Sequence, residues 1–485
     1  MAKQFSRAIR YSGHPKPIWV FAVIGLLLAW PYLSSSRPAP MPHAGFKLLH
    51  HSKPPDVDRL ALAAAGPVTR LVPQGNVKAV VLLLSDRDGW TATMQHDAKV
   101  LSGAGIAVAG VDTPRLLRRL AGSRASCISL NWSLSLLAKD FEHRLGLPVY
   151  MRPILAGRGL GGDVTFASLA QSPNIFRGGV SLGFDGQLPG SKAWCKNRRP
   201  LASRLSGAHA GWQLRTGQSF TTPWVAIASR EEERVIARRF LPTLPHSSLR
   251  LQAGDALLSA ILPMAEAPVA KRASASDTTI EALPLDTMVN PASRSTPYMA
   301  VFYSGDGGWV GFDRNMASAL ADHGVPVVGI DSLSYFWNKR RPIDAAADLA
   351  RVIDHYRHLW GRRQVILVGF SFGADNLPFI ANALPKRLHP DIARISLLGL
   401  SDSTDFQFHL ESWLDMTQSD AMPTVPAIMG IRDMPVQCVR GTVEADSACN
   451  AIPKGRAIQS ILPGDHHFGR DFSRIAHTIL AGLET

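Results

Sequence analysis

ILVGFSFGADNLPF, Ile366–Phe379, reads as the end of a buried strand, a sharp turn and the start of a helix. At the turn, Gly369-Phe370-Ser371-Phe372-Gly373 forms a G-x-S-x-G frame. Glycines flank the serine there because the turn leaves no room for side chains two residues to either side. Such a turn lifts a serine hydroxyl above the end of a strand, where it can serve as a nucleophile. A second stretch, ILAGRGLGGDVTF at Ile154–Phe166, has nearly the same frame with Gly159 in the serine's place. One chain carries both the device and its blank.

The blank is one landmark of a duplication. AVVLLLS (Ala79–Ser85) runs into DRDGW as AVFYS (Ala300–Ser304) runs into GDGGW, and Trp90 and Trp309 stand 219 positions apart. Asp112, closing GVD, and Asp331, closing GID, keep that offset. AGRGLGGD and VGFSFGAD share an offset of 212, as do PWVAIAS from Pro223 and PVQCVRG from Pro435. Two offsets held over four landmarks describe a tandem repeat of one domain of about 200 residues. Within each copy, near-continuous apolar runs alternate with helix-like stretches, which implies a mostly parallel sheet with helices on both faces. The expected fold class is α/β, a tandem duplication of an α/β-hydrolase-type domain. The first copy is expected over 67–264 and the second over 281–485. Linkers rich in Pro, Ala or Ser are expected at 37–66 and 265–280.

A nucleophilic serine needs a base and an acid that orients it, in the chain order Ser, Asp or Glu, His. After the last strand, PGDHHF supplies His466 and His467, and His466 is preferred from its place in the loop. After the penultimate strand, TVEADSAC supplies Glu444 and Asp446. Asp446 is preferred, because a bond from Cys449 to Cys438 would anchor its loop to the strand. The expected catalytic set is Ser371, Asp446 and His466. The oxyanion hole is expected from the backbone N–H of Phe372 and one from the SGDGGW loop, at Gly305 or Asp306.

In the first copy Gly159 replaces the nucleophile, and Ala256 and Leu257 stand where the two histidines should. That half is expected to be degenerate and non-catalytic. Gly157–Gly162 also matches G-x-G-x-x-G with Asp185 downstream, but a dinucleotide fingerprint opens the first strand of its domain, and here at least two strands precede it.

Hydrophobic residues at 46% describe a globular chain, too long at 485 residues for a single core. The net charge of +14 is scattered, which suits a solvated surface or weak attraction to anionic lipid rather than a nucleic-acid partner. Lys3, Arg7, Arg10 and Lys16 precede an unbroken apolar run of 13 residues, Ile18–Trp30. That run is short for a bilayer span and fits the core of a signal peptide. Residues 1–36 are therefore expected to be a signal peptide or a retained membrane anchor, with the rest exported. Two cysteines per copy, Cys127 with Cys195 and Cys438 with Cys449, suit disulfides in an oxidising compartment. No cofactor is expected, and no metal either, because the paired histidines lack a third ligand at zinc-like spacing.

SGDGGW, SYFWNKRRPIDAAADL from Ser334, GFSFGAD, VEADSAC and PGDHHF together resemble the AcvB/VirJ family of bacterial exported virulence proteins. The duplicated layout with a degenerate first half resembles its longer AcvB-like members rather than the single-domain VirJ-like ones. The resemblance implies a periplasmic hydrolase that splits lysyl-phosphatidylglycerol into lysine and phosphatidylglycerol. It implies an aminoacylated anionic phospholipid and the membrane surface as partners. Secretion-system proteins are also implied, with a non-enzymatic scaffold as the competing class, beside an esterase of other specificity. A lysyl ester carries two ammonium groups, so Asp306, Asp313 and Asp375 are the candidate substrate carboxylates, and Tyr335, Phe336 and Trp337 are candidate pocket walls. Asp375 could instead hold the loops around the elbow, and Asp313 could cap a helix.

Overall fold

The computed structural model describes residues 66, 68–195, 199–206, 211–266, 280, 283–288, 296–408 and 421–483. The export segment, nearly all of the linker at 37–66 and most of that at 265–280 lie outside the described residues. Among the described residues no helix is long and apolar enough to cross a membrane.

The first copy builds a seven-stranded sheet from β1 (Val68–Leu71), β2 (Ala79–Leu84), β3 (Ile106–Val111), β4 (Ile154–Arg158), β5 (Gly178–Leu182), β6 (Trp224–Ala228) and β7 (Ser247–Leu251). Their order across the sheet is β1-β3-β2-β4-β5-β6-β7. The second copy repeats this with β8 (Leu285–Met288), β9 (Tyr298–Tyr303), β10 (Val327–Ile330), β11 (Gln364–Phe370), β12 (Ile392–Leu398), β13 (Val436–Gly441) and β14 (Ile458–Leu462). Its order is β8-β10-β9-β11-β12-β13-β14, the same permutation. In both, only the first strand runs antiparallel and the remaining neighbours are parallel. This is the mixed, mostly parallel sheet of an α/β-hydrolase, present twice.

The inner strands are mostly apolar because both of their faces are covered. Alternate residues of β9 go to opposite cores: Met299, Val301 and Tyr303 to one, Tyr298, Ala300 and Phe302 to the other. β2 divides the same way, with Val80, Leu82 and Leu84 on one face and Ala79, Val81 and Leu83 on the other. The helices that supply this cover include α1 (Ala92–Gly103), α2 (Thr113–Gly122), α3 (Asn131–Arg144) and α4 (Leu160–Gln171) in the first copy. In the second they include α5 (Gly311–Asp322), α6 (Pro342–Trp360), α7 (Phe372–Ala383) and α8 (Phe472–Leu480). One helix is unusual. Every residue of α3 from Ser133 to Glu142 is buried, although an outer-layer helix normally keeps a wet face. The second copy covers that face. Leu136 of α3 and Tyr150 pack with Leu333, Trp337 and Phe408 in one apolar cluster.

The order of strands places the site. Moving outward from β9, the chain goes first to β10 on one side and then to β11 on the other. The crevice at the C-terminal ends of β9 and β11 is therefore the topological switch point, where ligands bind in open α/β sheets. The SGDGGW loop leaves β9 there, and Ser371 leaves β11. Trp309 in that loop lies over the middle of β10, where a Cβ on Gly329 would come 2.2 Å from its ring. Trp90 covers Gly110 in the same way in the first copy. We expect Gly329→Ala to destabilise the protein by about 1–3 kcal/mol, because the methyl must displace a packed indole. Chemical denaturation followed by tryptophan fluorescence checks this, and an unchanged midpoint would show that the loop yields freely.

Candidate active site

Ser371 has φ 52° and ψ −123°, a left-handed conformation that few non-glycine residues adopt. Its N–H donates to Leu398 O at 2.8 Å, which ties the turn to the end of β12. A Cβ on Gly373 would meet Tyr303 O at 2.3 Å, and one on Gly369 would meet Gly373 O at 2.6 Å. The two glycines thus let the helix start directly against the neighbouring strand. The serine stands half-buried above both.

The candidate base arrives from the loop after β14. The His466 ring lies against Gly399, one residue beyond the Leu398 carbonyl that holds the Ser371 N–H, which places histidine and serine at adjoining strand ends. His466 Nδ1 is 2.6 Å from Glu444 Oε1, and Glu444 Oε2 accepts the Gly441 N–H at 2.5 Å. This corrects the expected acid. Asp446 lies exposed on the loop, whereas Glu444 turns back onto the end of β13 and reaches the ring with its extra methylene. Cys438 is bonded to Cys449 and Cys127 to Cys195. The first of these clamps the far side of the acid loop and leaves the choice of acid to side-chain reach.

Burial pulls the His466 pKa down, but the Glu444 hydrogen bond and charge, with Asp375 and Asp306 beyond, leave it above the usual histidine value. Burial in turn raises Glu444, and the bonds from His466 and Gly441 leave it below the usual carboxylate value. A donating Nδ1 leaves Nε2 as the basic nitrogen. His467 packs its ring edge-on to Phe312 at 5.6 Å, and burial and the neighbouring His466 charge lower its pKa.

The oxyanion loop needs a second correction. The Gly305 N–H donates to Asp313 Oδ1 at 3.2 Å and is unavailable to a substrate. Asp313 is fully enclosed in the first turn of α5. Burial pushes it up to about 8 against the pull of the Gly305 N–H, so it braces the loop and faces no pocket. Gly305 O accepts the Gly308 N–H at 3.1 Å and the Ser304 hydroxyl at 3.1 Å, which fixes the peptide that carries the Asp306 N–H. Among the described residues nothing accepts the N–H of Asp306 or of Phe372.

The first copy shows what such N–H groups attract. Gly159 keeps the elbow conformation, φ 48° and ψ −118°, with no side chain to strain. Leu160, at the position of Phe372, donates its N–H to Asp86 Oδ1 at 2.9 Å. A Cβ on Gly159 would lie 2.2 Å from that same oxygen. Asp86 occupies the position of Gly305, so the degenerate copy fills its own oxyanion slot with a carboxylate.

Two further expectations change. Asp375 is buried and accepts the Ser401 N–H at 2.7 Å. Burial pushes it up to about 7, opposed by the Ser401 bonds and His466. Its counterpart Asp163 accepts the N–H groups of Asp185 and Gly186 although that copy has no nucleophile, which marks the position as a loop brace. Tyr335, Phe336 and Trp337 are all buried and wall no open pocket. Tyr335 hydrogen-bonds Asp348 at 2.5 Å, Phe336 packs edge-on to Phe372, and Trp337 donates to Leu147 O of the first copy at 2.8 Å. Of the three candidate carboxylates, Asp306 alone is half-exposed. Sequence reasoning missed Lys139, whose Nζ donates to Asp306 O at 3.0 Å from the other copy. Nothing in the pattern around one lysine in a helix points across a domain boundary.

Residues 297–485 match the family described as bacterial virulence protein (VirJ), which supports a VirJ/AcvB-like assignment. No curated protein matches the chain. Similar solved structures include Est1E from Butyrivibrio proteoclasticus, 13% identical with a TM-score of 0.30, covering 41% of this chain and 92% of that one. XC6422 from Xanthomonas campestris, described as an α/β serine hydrolase without lid, is 18% identical with a TM-score of 0.29, covering 41% and 88%. A lipase-esterase related protein from Clostridium acetobutylicum is 14% identical with a TM-score of 0.30, covering 41% and 98%.

The acid assignment carries a pH signature. His466 must be neutral to accept a proton, so activity falls as pH drops through its raised pKa. Glu444→Gln removes the charge that favours imidazolium, so the acid limb should move to lower pH while kcat/KM falls roughly 10²–10⁴-fold. Asp446→Asn should leave both within about twofold. A pH–rate profile in which the Asp446 variant is the crippled one would reverse the assignment.

Proposed function

We propose that the second copy is a serine hydrolase of esters and that its substrate is the aminoacyl ester of lysyl-phosphatidylglycerol. The strained Ser371 beside the His466–Glu444 pair carries the hydrolase reading. The lysyl-lipid reading rests on the family resemblance, supported by a half-exposed Asp306 carboxylate on the oxyanion loop, where an α-ammonium beside the scissile carbonyl would fall.

The reaction runs in two halves. Ser371 Oγ attacks the ester carbonyl as His466 Nε2 takes its proton, and Glu444 steadies the imidazolium. The tetrahedral oxygen anion is held by the N–H groups of Phe372 and Asp306, fixed dipoles that need no reorganisation as charge develops. Collapse breaks the ester bond, His466 gives its proton to the glycerol oxygen, and phosphatidylglycerol leaves. A water then attacks the lysyl-serine ester with His466 again as base, and lysine departs as the serine regains its proton.

The setting proposed is the periplasmic side of the membrane, in keeping with two disulfides and with the expected export segment. The membrane surface is the proposed partner, because the ester to be cleaved belongs to a lipid headgroup. The first copy, lacking nucleophile and base, is proposed as a non-catalytic module.

Purified protein and lysyl-phosphatidylglycerol in mixed micelles test this, with released lysine measured by mass spectrometry. Ser371→Ala should lower the rate on the order of 10⁴–10⁶-fold. Full activity in that variant would remove the serine mechanism, and no release by the parent protein would remove the substrate. Asp306→Asn should slow the lysyl ester at least about tenfold, the scale of one lost charge-assisted contact, and a neutral short-chain ester much less. Equal losses on both would place lysine recognition elsewhere.

A further inference from the structure

The junction between the copies ends on the oxyanion loop. Lys139 of α3 is wholly buried, a position lysine rarely takes without partners. Its Nζ donates to Asp306 O at 3.0 Å and lies 5.1 Å from the centre of the Phe408 ring. Burial lowers its pKa to about 8, with Asp306, Asp331 and Glu142 holding it up. Glu142, one turn along the same helix, is buried too and accepts the Met151 N–H at 2.7 Å.

Around this contact the two copies are bound together. Trp337 Nε1 donates to Leu147 O at 2.8 Å, and Asn338 Nδ2 to Pro148 O at 2.6 Å. Tyr150 packs on Trp337 with ring centres 5.3 Å apart, and Trp337 stacks on Phe408 at 5.8 Å. The segment Leu333–Asn338 that receives these contacts also reaches the nucleophile, through Phe336 packed against Phe372 at 5.5 Å. The first copy therefore touches both sides of the proposed oxyanion hole, the Asp306 peptide directly and the Phe372 side through Phe336.

We infer that the non-catalytic first copy is a built-in positioning domain for the active site of the second, with Lys139 as the positioning residue that holds the Asp306 backbone in line with Phe372. This rests on the hydrolase reading for its effect on rate, but not for its effect on the loop. Asp306 O points at Lys139 on one side of the residue, and the preceding peptide is tied back through Gly305 O on the other. The Asp306 N–H belongs to the peptide held through Gly305 O, and the Lys139 tie on the following peptide fixes the other side of the residue, so the N–H keeps one direction. Loss of the ammonium frees one of those ties, and the donor drifts from the place where the oxygen anion forms. Misplacement of that kind lowers the rate of the chemical step and leaves substrate binding nearly untouched.

The test is Lys139→Met in the full chain, which keeps the length and removes the donor. Amide hydrogen exchange at Gly308, whose N–H closes the oxyanion loop, should speed up at least about tenfold, with the amides of β2 and β4 unchanged. On a neutral ester kcat should fall about tenfold to a hundredfold, with KM within about twofold. Lys139→Gln, smaller and with one amide donor, replaces it where the methionine variant does not fold, and should show the same changes in weaker form. Unchanged exchange at Gly308 in a folded variant overturns the proposal whatever the activity does. A rise in KM at constant kcat overturns it as well. Absence of ester hydrolysis in the parent protein would count against the hydrolase reading alone, because the exchange at Gly308 still decides whether the first copy holds the loop.

Discussion

The left-handed turn at Ser371 is the constraint around which the second copy is arranged. A serine forced to φ 52° is held there only because its surroundings over-determine it. Its N–H is fixed to Leu398, and the helix behind it begins against the carbonyls of Tyr303 and Ser304 through a glycine. The same packing that strains the serine brings three strand ends within reach of one another. From β9 comes the loop with the Asp306 N–H, from β11 the nucleophile, and at β12 the glycine against which His466 rests. A looser turn would cost less and would leave these groups scattered.

What the sequence disclosed was whatever repeats or has a fixed frame. The elbow, the two offsets and the missing serine and histidine all follow from spacing, and the permuted strand order in both sheets agrees with a duplication. Features decided by reach were not disclosed. Glu444 and Asp446 are two residues apart on one loop, and only the fold shows that the glutamate curls back to Gly441 while the aspartate faces water. Gly305 and Asp306 looked interchangeable as donors until Asp313, eight residues on, claimed one of their N–H groups. Tyr335, Phe336 and Trp337 suggested a pocket because aromatic runs beside an active site often make one. Tyr335 and Phe336 are instead taken up by Asp348 and Phe372 of their own copy, and Trp337 by Leu147, 190 positions away in the other copy, a distance at which residue pattern carries no information.

The comparison of the copies separates scaffold from chemistry within one chain. Asp163 and Asp375, and the tryptophan–glycine contacts at Trp90 and Trp309, persist in both, so they belong to the fold. Ser371, His466 and Asp313 have no counterparts of their kind in the first half, where Gly159, Ala256 and Met94 stand. The first copy keeps the frame without these groups and has α3 buried from Ser133 to Glu142, where an outer-layer helix would ordinarily keep a wet face.

Asp86 makes that loss a ratchet. Restoring a serine at position 159 would bring its Cβ 2.2 Å from Asp86 Oδ1, so the aspartate would have to swing aside and give up the Leu160 N–H. Removing the aspartate first would strip the Leu160 N–H of its partner and gain nothing in chemistry, because no histidine waits at position 256. Each intermediate sequence is less well satisfied than the present one. The path back to a serine at position 159 therefore runs uphill at its first step, and the freed half is left with whatever its surface touches, here the Asp306 loop of the second copy.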